Sequence, residues 1–186
     1  MRIADLILQA DGELVLEPLE ARHAEAMYPI LCDAELHRYL DQPPPASLDA
    51  LRKRYEYLER RASPDGSQHW LNWIVVPANG EPIGFVQATV EETTASIAYL
   101  LARNKWGRGH ATRACRLMID DLVARYGVRR LTATAEVENM RSIRLLERLG
   151  FTLSADHGDV TITQTERLFV RIAEEPASAS DGRDAD

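Results

Sequence analysis

The most constraining feature of this sequence is a change of hydrophobic period near its middle. Residues 96–101 alternate, with Ile97, Tyr99 and Leu101 on one side, which predicts a β-strand. After a glycine-containing loop at residues 106–112 the apolar period becomes helical, at Ala111, Cys115, Met118 and Leu122. Residues 131–135 then form another apolar strand segment. A strand, a crossover helix and a following strand require a parallel pair, so an α/β protein with a mixed sheet is predicted.

The rest of the chain adds strands and helices around this central unit. Further strands are predicted at residues 14–16, 70–76, 83–90, 161–163 and 168–172. Further helices are predicted at residues 21–31, at residues 48–61 with Ser47 as N-cap, and from about residue 140 to a stop at Gly150. Residues 41–47 contain three consecutive prolines, so they are predicted to form a loop.

Composition and charge limit the class of protein. The 186 residues, 45% hydrophobic and 27% charged, fit one globular domain with its own core. Two cysteines, Cys32 and Cys115, indicate a reducing compartment rather than a disulfide framework. The net charge of −7 disfavours a general nucleic-acid binder. No signal-peptide pattern and no run of about 18 apolar residues occurs, so a cytoplasmic protein without a membrane partner is expected.

The charge is unevenly distributed along the chain. Residues 174–186 contain one arginine against five carboxylates, a net charge of −4, and no large apolar residue. Such a segment cannot offset its ordering entropy, so we expect a folded domain at residues 1–173 and a disordered acidic tail at residues 174–186. Residues 103–130 contain eight basic against two acidic residues, a net charge of +6. This basic segment is either a solvated helix face or a site for a small polyanion.

The loop WGRGHAT at residues 106–112 directly precedes the amphipathic helix. The first N–H groups of a helix lack intrahelical partners and lie at the positive end of its dipole, where glycines let an anion approach. The neighbouring cations are Arg103, Lys105 and Arg108. The loop therefore favours a phosphate-bearing ligand, the alternative being a turn that only redirects the chain. A Walker loop and a dinucleotide fingerprint are excluded, because the Gly-Lys-Ser/Thr pattern and the third glycine are missing.

A second polar element, NMRS at residues 139–142, opens the helix that ends in RLGF at residues 148–151. Taken alone, Asn139 is best explained as an N-cap and Ser142 as a polar residue of the first turn. Neither HExxH nor CxxC occurs and the histidines show no metal spacing, so no metal is expected. Cys115 lies on the apolar stripe and is expected to be a core residue.

Together these motifs resemble the GNAT superfamily of acyl-CoA-dependent N-acetyltransferases, and most closely its ribosomal-protein-alanine acetyltransferase branch. WGRGHATRA is similar to that branch's W-G-x-G-x-A-T loop, and ENMRSIRLLERLGF to its E-N-x-x-S-x-x-x-L-E-x-L-G-F ending. LVLEPL at residues 14–19 and IGF at residues 83–85 are similar to its opening and third strands. The resemblance covers residues 14–172. It implies a single-domain acyl-CoA N-acyltransferase fold with a mixed, mostly antiparallel twisted sheet, helices on both faces and a parallel splay at the cofactor site.

The resemblance also implies a set of site residues for acetyl-CoA as cosubstrate, without a metal. Backbone amides at the helix start would hold the pyrophosphate, from Arg108, Gly109, His110, Ala111, Thr112 and Arg113. Leu101, Ala102 and Arg103 would pair with the pantetheine arm, and the N–H near Leu101 would hold the developing oxyanion. Asn139 would hydrogen-bond the pantetheine, and Ser142 would lie near the sulfur as a proton donor. The reaction would be direct attack by a primary amine.

One position departs from the family pattern. Many relatives carry a glutamate on the fourth strand, two residues before a Gly-Tyr pair, where this chain has Ser96 before Ala98 and Tyr99. Because an alkylammonium has a pKa of about 10, a base or desolvation must assist at neutral pH. The candidate bases are His37, Glu91, Glu92 and Glu136.

The resemblance leaves the acceptor open, as either a protein N-terminus or a small amine such as an antibiotic or polyamine. Tyr55 and Tyr57, on the second predicted helix, are candidate substrate contacts. Ser96 at the carboxylate position also permits a rival function, a non-catalytic acyl-CoA-binding module. No nucleic-acid or membrane partner is expected, and the chain is expected to be a monomer or a homodimer.

Overall fold

The structure, a computed structural model, describes residues 7–10, 12–39, 43–78, 80–158 and 160–173. The predicted acidic tail at residues 174–186 therefore lies outside the described residues. Within the described residues, no helix is both long enough and apolar enough to cross a bilayer.

A single mixed sheet forms the centre of the described chain. Its strands are β1 (Leu8–Ala10), β2 (Leu14–Pro18), β3 (His69–Pro77), β4 (Gly84–Glu91), β5 (Thr94–Leu101), β6 (Arg130–Glu136), β7 (Thr152–Leu153) and β8 (Glu166–Ile172). They lie in the order β1-β2-β3-β4-β5-β6-β8-β7. Every neighbouring pair is antiparallel except β5 and β6, which are parallel. The predicted mixed, mostly antiparallel sheet is confirmed.

Helices cover both faces of this sheet, as predicted. They are α1 (Ala24–Leu31), α2 (Leu48–Leu58), α3 (His110–Tyr126) and α4 (Met140–Arg148), with short 3₁₀ segments at Ala21–His23, Ala34–Tyr39 and Arg103–Lys105. The helices α3 and α4 pack on one face, and α1 and α2 pack on the other. The alternation of β5 explains how one strand serves both cores, because Ile97 joins the α3/α4 core and Leu100 joins the α1/α2 core.

The parallel pair opens into a wedge, defined here as the space between residues 97–101 of β5 and residues 133–136 of β6. The two strands pair only over Thr94–Ser96 and Arg130–Thr132. Beyond these residues β5 stays paired with β4 as far as Leu101, and β6 stays paired with β8 as far as Glu136. Each strand therefore follows its outer neighbour while the two diverge, which confirms the predicted splay.

Local sequence signals set the ends of several helices. Ser47 Oγ accepts a hydrogen bond from the Ala50 N–H at 3.0 Å, so the predicted cap of α2 is confirmed. The α2 helix ends at Leu58 rather than at residue 61. At the end of α4, Gly150 adopts a φ of +82°, the left-handed conformation in which glycine stops helices.

The predicted strand at residues 161–163 is wrong. The inner edge of β8 pairs with β6, and its outer edge pairs with β7 through Thr152 and Leu153. Thr163 belongs to a turn instead, where its N–H donates to the Glu166 carboxylate at 2.9 Å. Alternating threonines favour a strand, but both edges of the neighbouring strand β8 are already paired. The strands β1 and β7 are too short to show a readable period in the sequence.

Gly84 permits the closest approach of β4 to the end of β5. A Cβ at Gly84 would lie 2.1 Å from the Leu100 carbonyl oxygen and 2.7 Å from Leu101 Cα. We expect Gly84→Ala to force the strands apart and to lower the free energy of unfolding by about 2 kcal/mol or more, measured by chemical denaturation. Gly66→Ala is the control, because a Cβ there meets nothing within 4 Å. Equal losses in the two variants would contradict the steric explanation.

Candidate active site

The α3 helix begins at an end that no side chain caps. Its N-cap, Gly109, has a φ of +78°. The Arg113 N–H donates to the Gly109 carbonyl at 3.1 Å, so helix geometry leaves the preceding first-turn N–H groups without intrahelical partners. A Cβ at Gly109 would meet no heavy atom within 4 Å. The start of α3 therefore directs free N–H donors into open space, which is the geometry of an anion site.

Cations surround this helix end, and some of them already have partners. Arg103 pairs with Asp33 at 2.8 Å, and Arg113 pairs with Glu13. Lys105 and Arg108 form no ion pair with any described residue. Burial lowers the pKa of His110, and the cationic side chains around it add to the effect. The free cations and the N–H donors together suit a phosphate-bearing ligand.

The last residues of β5 form one wall of the wedge. The Ala102 N–H donates to the Ile83 carbonyl at 2.8 Å, on the side of β4. Because successive residues of a strand direct their backbone groups to opposite edges, the N–H and C=O of Leu101 face the wedge. The Leu101 carbonyl accepts a hydrogen bond from Trp106 Nε1 at 2.8 Å. The Trp106 ring in turn lies 4.5 Å from Arg141 Cζ, which joins the loop to α4.

A pair of hydroxyls connects β5 to the start of α4. Asn139 Oδ1 caps α4 by accepting the Ser142 N–H at 3.1 Å. Ser142 Oγ lies 2.7 Å from the Tyr99 hydroxyl, whose single proton can go either to this oxygen or to the Ser142 carbonyl oxygen at 3.3 Å. Burial raises the pKa of Tyr99 above its ordinary value, although the bond to Ser142 opposes the shift. Both hydroxyls therefore stay protonated at neutral pH, on the α3/α4 face of the wedge.

Tyr99 is the site residue that sequence reasoning missed. The alternation placed it correctly on the α3/α4 face, but its partner Ser142 is 43 residues away in the chain. One signal could have found it, because Tyr99 is the hydroxyl-bearing member of an otherwise apolar strand face. The prediction that Asn139 is the N-cap of α4 is confirmed, because its side-chain oxygen accepts the Ser142 N–H.

Two of the four candidate bases lie far from the wedge. Glu91 ends β4 and Glu92 begins the turn to β5, so both lie at the opposite end of β5 from Leu101. The first and last residues of β5, Thr94 and Leu101, are seven positions apart, about 23 Å at the usual rise per residue, and Glu92 lies beyond Thr94. Glu91 also accepts a hydrogen bond from Gln68 Nε2 at 3.2 Å. Neither carboxylate reaches the end of β5 where the wedge is open.

The other two candidates lie at the open end of the wedge. Glu136 is the last residue of β6, on the wall opposite β5. His37 belongs to the segment Ala34–Tyr39, and its Nε2 lies 2.7 Å from the Leu31 carbonyl oxygen. The position of the absent family carboxylate, Ser96, is exposed and lies where β5 and β6 are still paired.

Of the remaining residues singled out in the sequence, Tyr55 and Cys115 are core residues and Tyr57 is exposed. Tyr55 is 4% exposed and belongs to the α1/α2 core, where burial raises its pKa to about 12. Tyr57 is 41% exposed and packs against Trp70, with ring centroids 5.8 Å apart. Cys115 is fully buried in the α3/α4 core, and burial raises its pKa. In the part of the chain that the structure describes, no group of histidine, cysteine or carboxylate side chains is arranged to hold a metal.

The wedge beside an uncapped helix end is the geometry that the predicted acyltransferase fold requires. Comparison with known proteins gives the family, because the acetyltransferase (GNAT) domain matches residues 13–152. The chain belongs to this family. It is also 30% identical over 141 residues to the uncharacterized N-acetyltransferase p20 of Bacillus licheniformis, covering 74% of this chain and 78% of that relative. The expected enzyme class, an N-acetyltransferase, is confirmed.

Solved structures show the same fold. RimL, a ribosomal L7/L12 α-N-protein acetyltransferase solved with coenzyme A, superposes with a TM-score of 0.76 at 21% identity, covering 89% of this chain and 97% of its own. MccE, a microcin C7 self-immunity acetyltransferase solved with acetyl-CoA and AMP, superposes with a TM-score of 0.74 at 18% identity, covering 88% and 94%. These similarities confirm the predicted fold.

Proposed function

We propose that this protein transfers the acetyl group of acetyl-CoA to a primary amine, on a protein N-terminus or a small molecule, by direct attack on the thioester. The observation that carries the proposal is the uncapped start of α3, with open space in front of Gly109, beside the wedge between β5 and β6. Direct attack is favoured over an intermediate on Cys115, because the Cys115 thiol is fully buried and its pKa is raised.

The proposed cosubstrate fits the groups at this helix end. Its pyrophosphate would accept hydrogen bonds from the backbone amides of residues 108–113, with Lys105 and Arg108 as counter-charges. The pantetheine arm would lie in the wedge against the backbone of Leu101, Ala102 and Arg103. Arg103 would contribute its backbone rather than its charge, since its guanidinium is paired with Asp33. Asn139 would donate from its amide nitrogen, since its oxygen accepts the Ser142 N–H.

The reacting groups would lie at the level of Leu101. Its N–H faces the wedge and would polarise the thioester carbonyl and hold the developing oxyanion. Ser142 would return a proton to the departing sulfur. Tyr99 would support this role when its single proton goes to Ser142 Oγ at 2.7 Å rather than to the Ser142 carbonyl oxygen at 3.3 Å, since the serine hydroxyl proton is then free to point towards the sulfur. Thiolate is a good leaving group, so this proton assists the reaction without being obligatory.

Both acceptor classes have a precedent among proteins of this fold. RimL is a protein α-N-acetyltransferase, and MccE is a self-immunity acetyltransferase that was solved with AMP as well as acetyl-CoA. For this chain we therefore propose an acceptor that presents a primary amine. The experiment that tests the function is release of free thiol from acetyl-CoA across a panel of amines, including peptides with N-terminal serine or alanine.

Three outcomes of that panel are distinguishable when acetyl-CoA binding is measured on the same protein. Turnover of at least one amine supports the proposal. Binding without thiol release would identify the non-catalytic acyl-CoA-binding module that the exposed Ser96 permits.

Acetyl-CoA at about 100 times its dissociation constant should add about 2.7 kcal/mol to the free energy of unfolding. A melting temperature unchanged up to millimolar acetyl-CoA would overturn both functions.

The glycine at the helix start should be required for cosubstrate binding. We expect Gly109→Val to raise the dissociation constant for acetyl-CoA at least tenfold, because the branched side chain would fill the space that the pyrophosphate needs. The measurement is calorimetric or fluorescence titration on protein whose circular dichroism is unchanged.

The matched control is Gly127→Val at the other end of α3. Gly127 also has a positive φ, +65°, and a Cβ there also meets nothing within 4 Å. It shares the backbone strain of Gly109 but lies about 26 Å away along the helix. If both valine variants bind acetyl-CoA alike, the loop at residues 106–112 is only a turn.

The Ser142 hydroxyl should act mainly in the transition state. We expect Ser142→Ala to lower kcat roughly tenfold with little change in KM for acetyl-CoA, less than the usual loss of a general acid because thiolate leaves readily. Ser47→Ala is the control, since it removes a hydroxyl from the cap of α2, remote from the wedge. A lower melting temperature with unchanged kcat per folded molecule would make Ser142 a purely structural residue.

A further inference from the structure

The wedge has two faces, and the hydroxyl pair occupies only one of them. Tyr99 and Ser142 lie on the face covered by α3 and α4. Along β6, Ala133 and Ala135 also join the α3/α4 core. Because side chains alternate along a strand, Glu136 directs its side chain to the opposite face, that of α1 and α2. A base on this face would stand opposite the proton donor, so an amine could enter from one side while the sulfur is protonated on the other.

Register places Glu136 at the reacting level of the wedge. The parallel pair matches Ser96 with Thr132. Four residues further along each strand, residue 136 lies level with residue 100, one residue before the Leu101 N–H. Among the four candidate bases, Glu136 is therefore the carboxylate that faces the thioester position across the wedge.

A cavity of about 290 Å³ lies beside Glu136 on this face. It is lined by Arg38, Tyr39, Glu136, Val137, Glu138 and Thr165. The segment that covers it starts at the end of β5, where Asp33 and Glu35 pair with Arg103 at 2.8 and 3.9 Å. It ends at Arg38 and Tyr39, next to the end of β6. The cavity therefore adjoins the open mouth of the wedge, and its volume is at the lower end of small-ligand sites.

The Glu136 carboxylate has no ion-pair or hydrogen-bond partner among the described residues. The carboxylate next to it on β8, that of Glu166, has a hydrogen-bond partner. Glu166 lies opposite Glu136 in the β6–β8 register, and its carboxylate accepts the Thr163 N–H. Two other charged side chains line the cavity, Arg38 and Glu138. The Cζ atom of Arg38 lies 5.3 Å from the centre of the Tyr39 ring. The segment that covers the cavity also carries His37. No fold-stabilising contact accounts for an unpartnered carboxylate at this position.

We infer that Glu136 is the proton acceptor for the attacking amine, an inference that rests on the proposed acetyl transfer. The acceptor enters the cavity as an ammonium and gives one proton to the Glu136 carboxylate. The neutral nitrogen then attacks the thioester carbon, so that a C–N bond forms and the C–S bond breaks. The second nitrogen-bound proton goes to the sulfur through Ser142, and Glu136 releases its proton to solvent. The products are an N-acetyl amine, free thiol and one proton.

If Glu136 takes the proton of the ammonium, the rate that it contributes depends on how much of the amine is protonated at each pH. For an alkylamine, we expect kcat/KM of the unmodified enzyme to have levelled off by about pH 8, because the carboxylate takes the proton. That of Glu136→Gln should still be rising there, because the amine itself must lose the proton. Glu136→Gln should lower kcat about 100-fold at pH 7, the usual contribution of a general base, with a smaller change in KM for the amine. The deficit should shrink towards pH 10, where the amine loses its proton without help. A purely structural loss would be the same at every pH.

Two further variants complete the test. Glu166→Gln removes a carboxylate from the same face, one strand further from the wedge, and should retain activity within about threefold, since glutamine can still accept the Thr163 N–H. Glu136→Asp keeps a carboxylate and should recover part of the lost kcat. Circular dichroism and acetyl-CoA binding verify that each variant is folded.

The outcomes separate this inference from the proposed function. If the unmodified enzyme releases thiol with an amine and Glu136→Gln is equally active at pH 7, Glu136 is not the base although the function stands. A rise in KM for the amine with unchanged kcat would reduce Glu136 to an ammonium anchor and overturn the assignment. If the unmodified protein acetylates no amine, the proposed function itself fails.

Discussion

The site depends on how little of β5 and β6 is paired. Three residue pairs join these parallel strands, and beyond them each strand is held by an antiparallel neighbour on its outer side. Backbone groups that would otherwise bond across the sheet instead face the wedge at residues 97–101. Unpaired backbone groups are costly when buried, so the wedge is a place where a ligand with its own amides can be stabilised. The crossover helix α3 starts at the same end and adds its free N–H donors.

Beyond the paired residues, side-chain contacts rather than inter-strand hydrogen bonds hold the walls of the wedge in position. Tyr99 reaches Ser142 across it, Trp106 binds the Leu101 carbonyl, and Arg103 ties the end of β5 to Asp33. These contacts come from different elements, so the walls are braced from both faces of the sheet. Preorganised donors of this kind are the main source of electrostatic stabilisation in enzyme sites.

Much of this arrangement could be predicted from the sequence, because its signals are local. The change from strand to helix period located β5 and α3, and the residues Ser47, Asn139 and Gly150 fixed helix ends within one turn. The glycine loop was predictable for the same reason, since its N–H donors belong to the helix it opens.

The parts that could not be predicted depend on contacts between distant segments. The hydroxyl pair joins residues 43 positions apart, and no period in the sequence links them. The cavity beside Glu136 depends on Arg38 and Tyr39, which belong to an irregular segment with no predictable path. The strand expected at residues 161–163 failed similarly, because propensity says nothing about which sheet edges are already filled.

The position of Trp106 gives the protein an internal optical probe. Of the three tryptophans, Trp73 is 2% exposed in the core, Trp70 packs beside Tyr57, and Trp106 is 39% exposed at the mouth of the wedge. Its indole nitrogen is bound to β5 and its ring is stacked by Arg141. We expect a molecule that enters the wedge to change the polarity around this one indole and to leave the other two indoles unaffected. Intrinsic emission should therefore report occupancy of the site without a label.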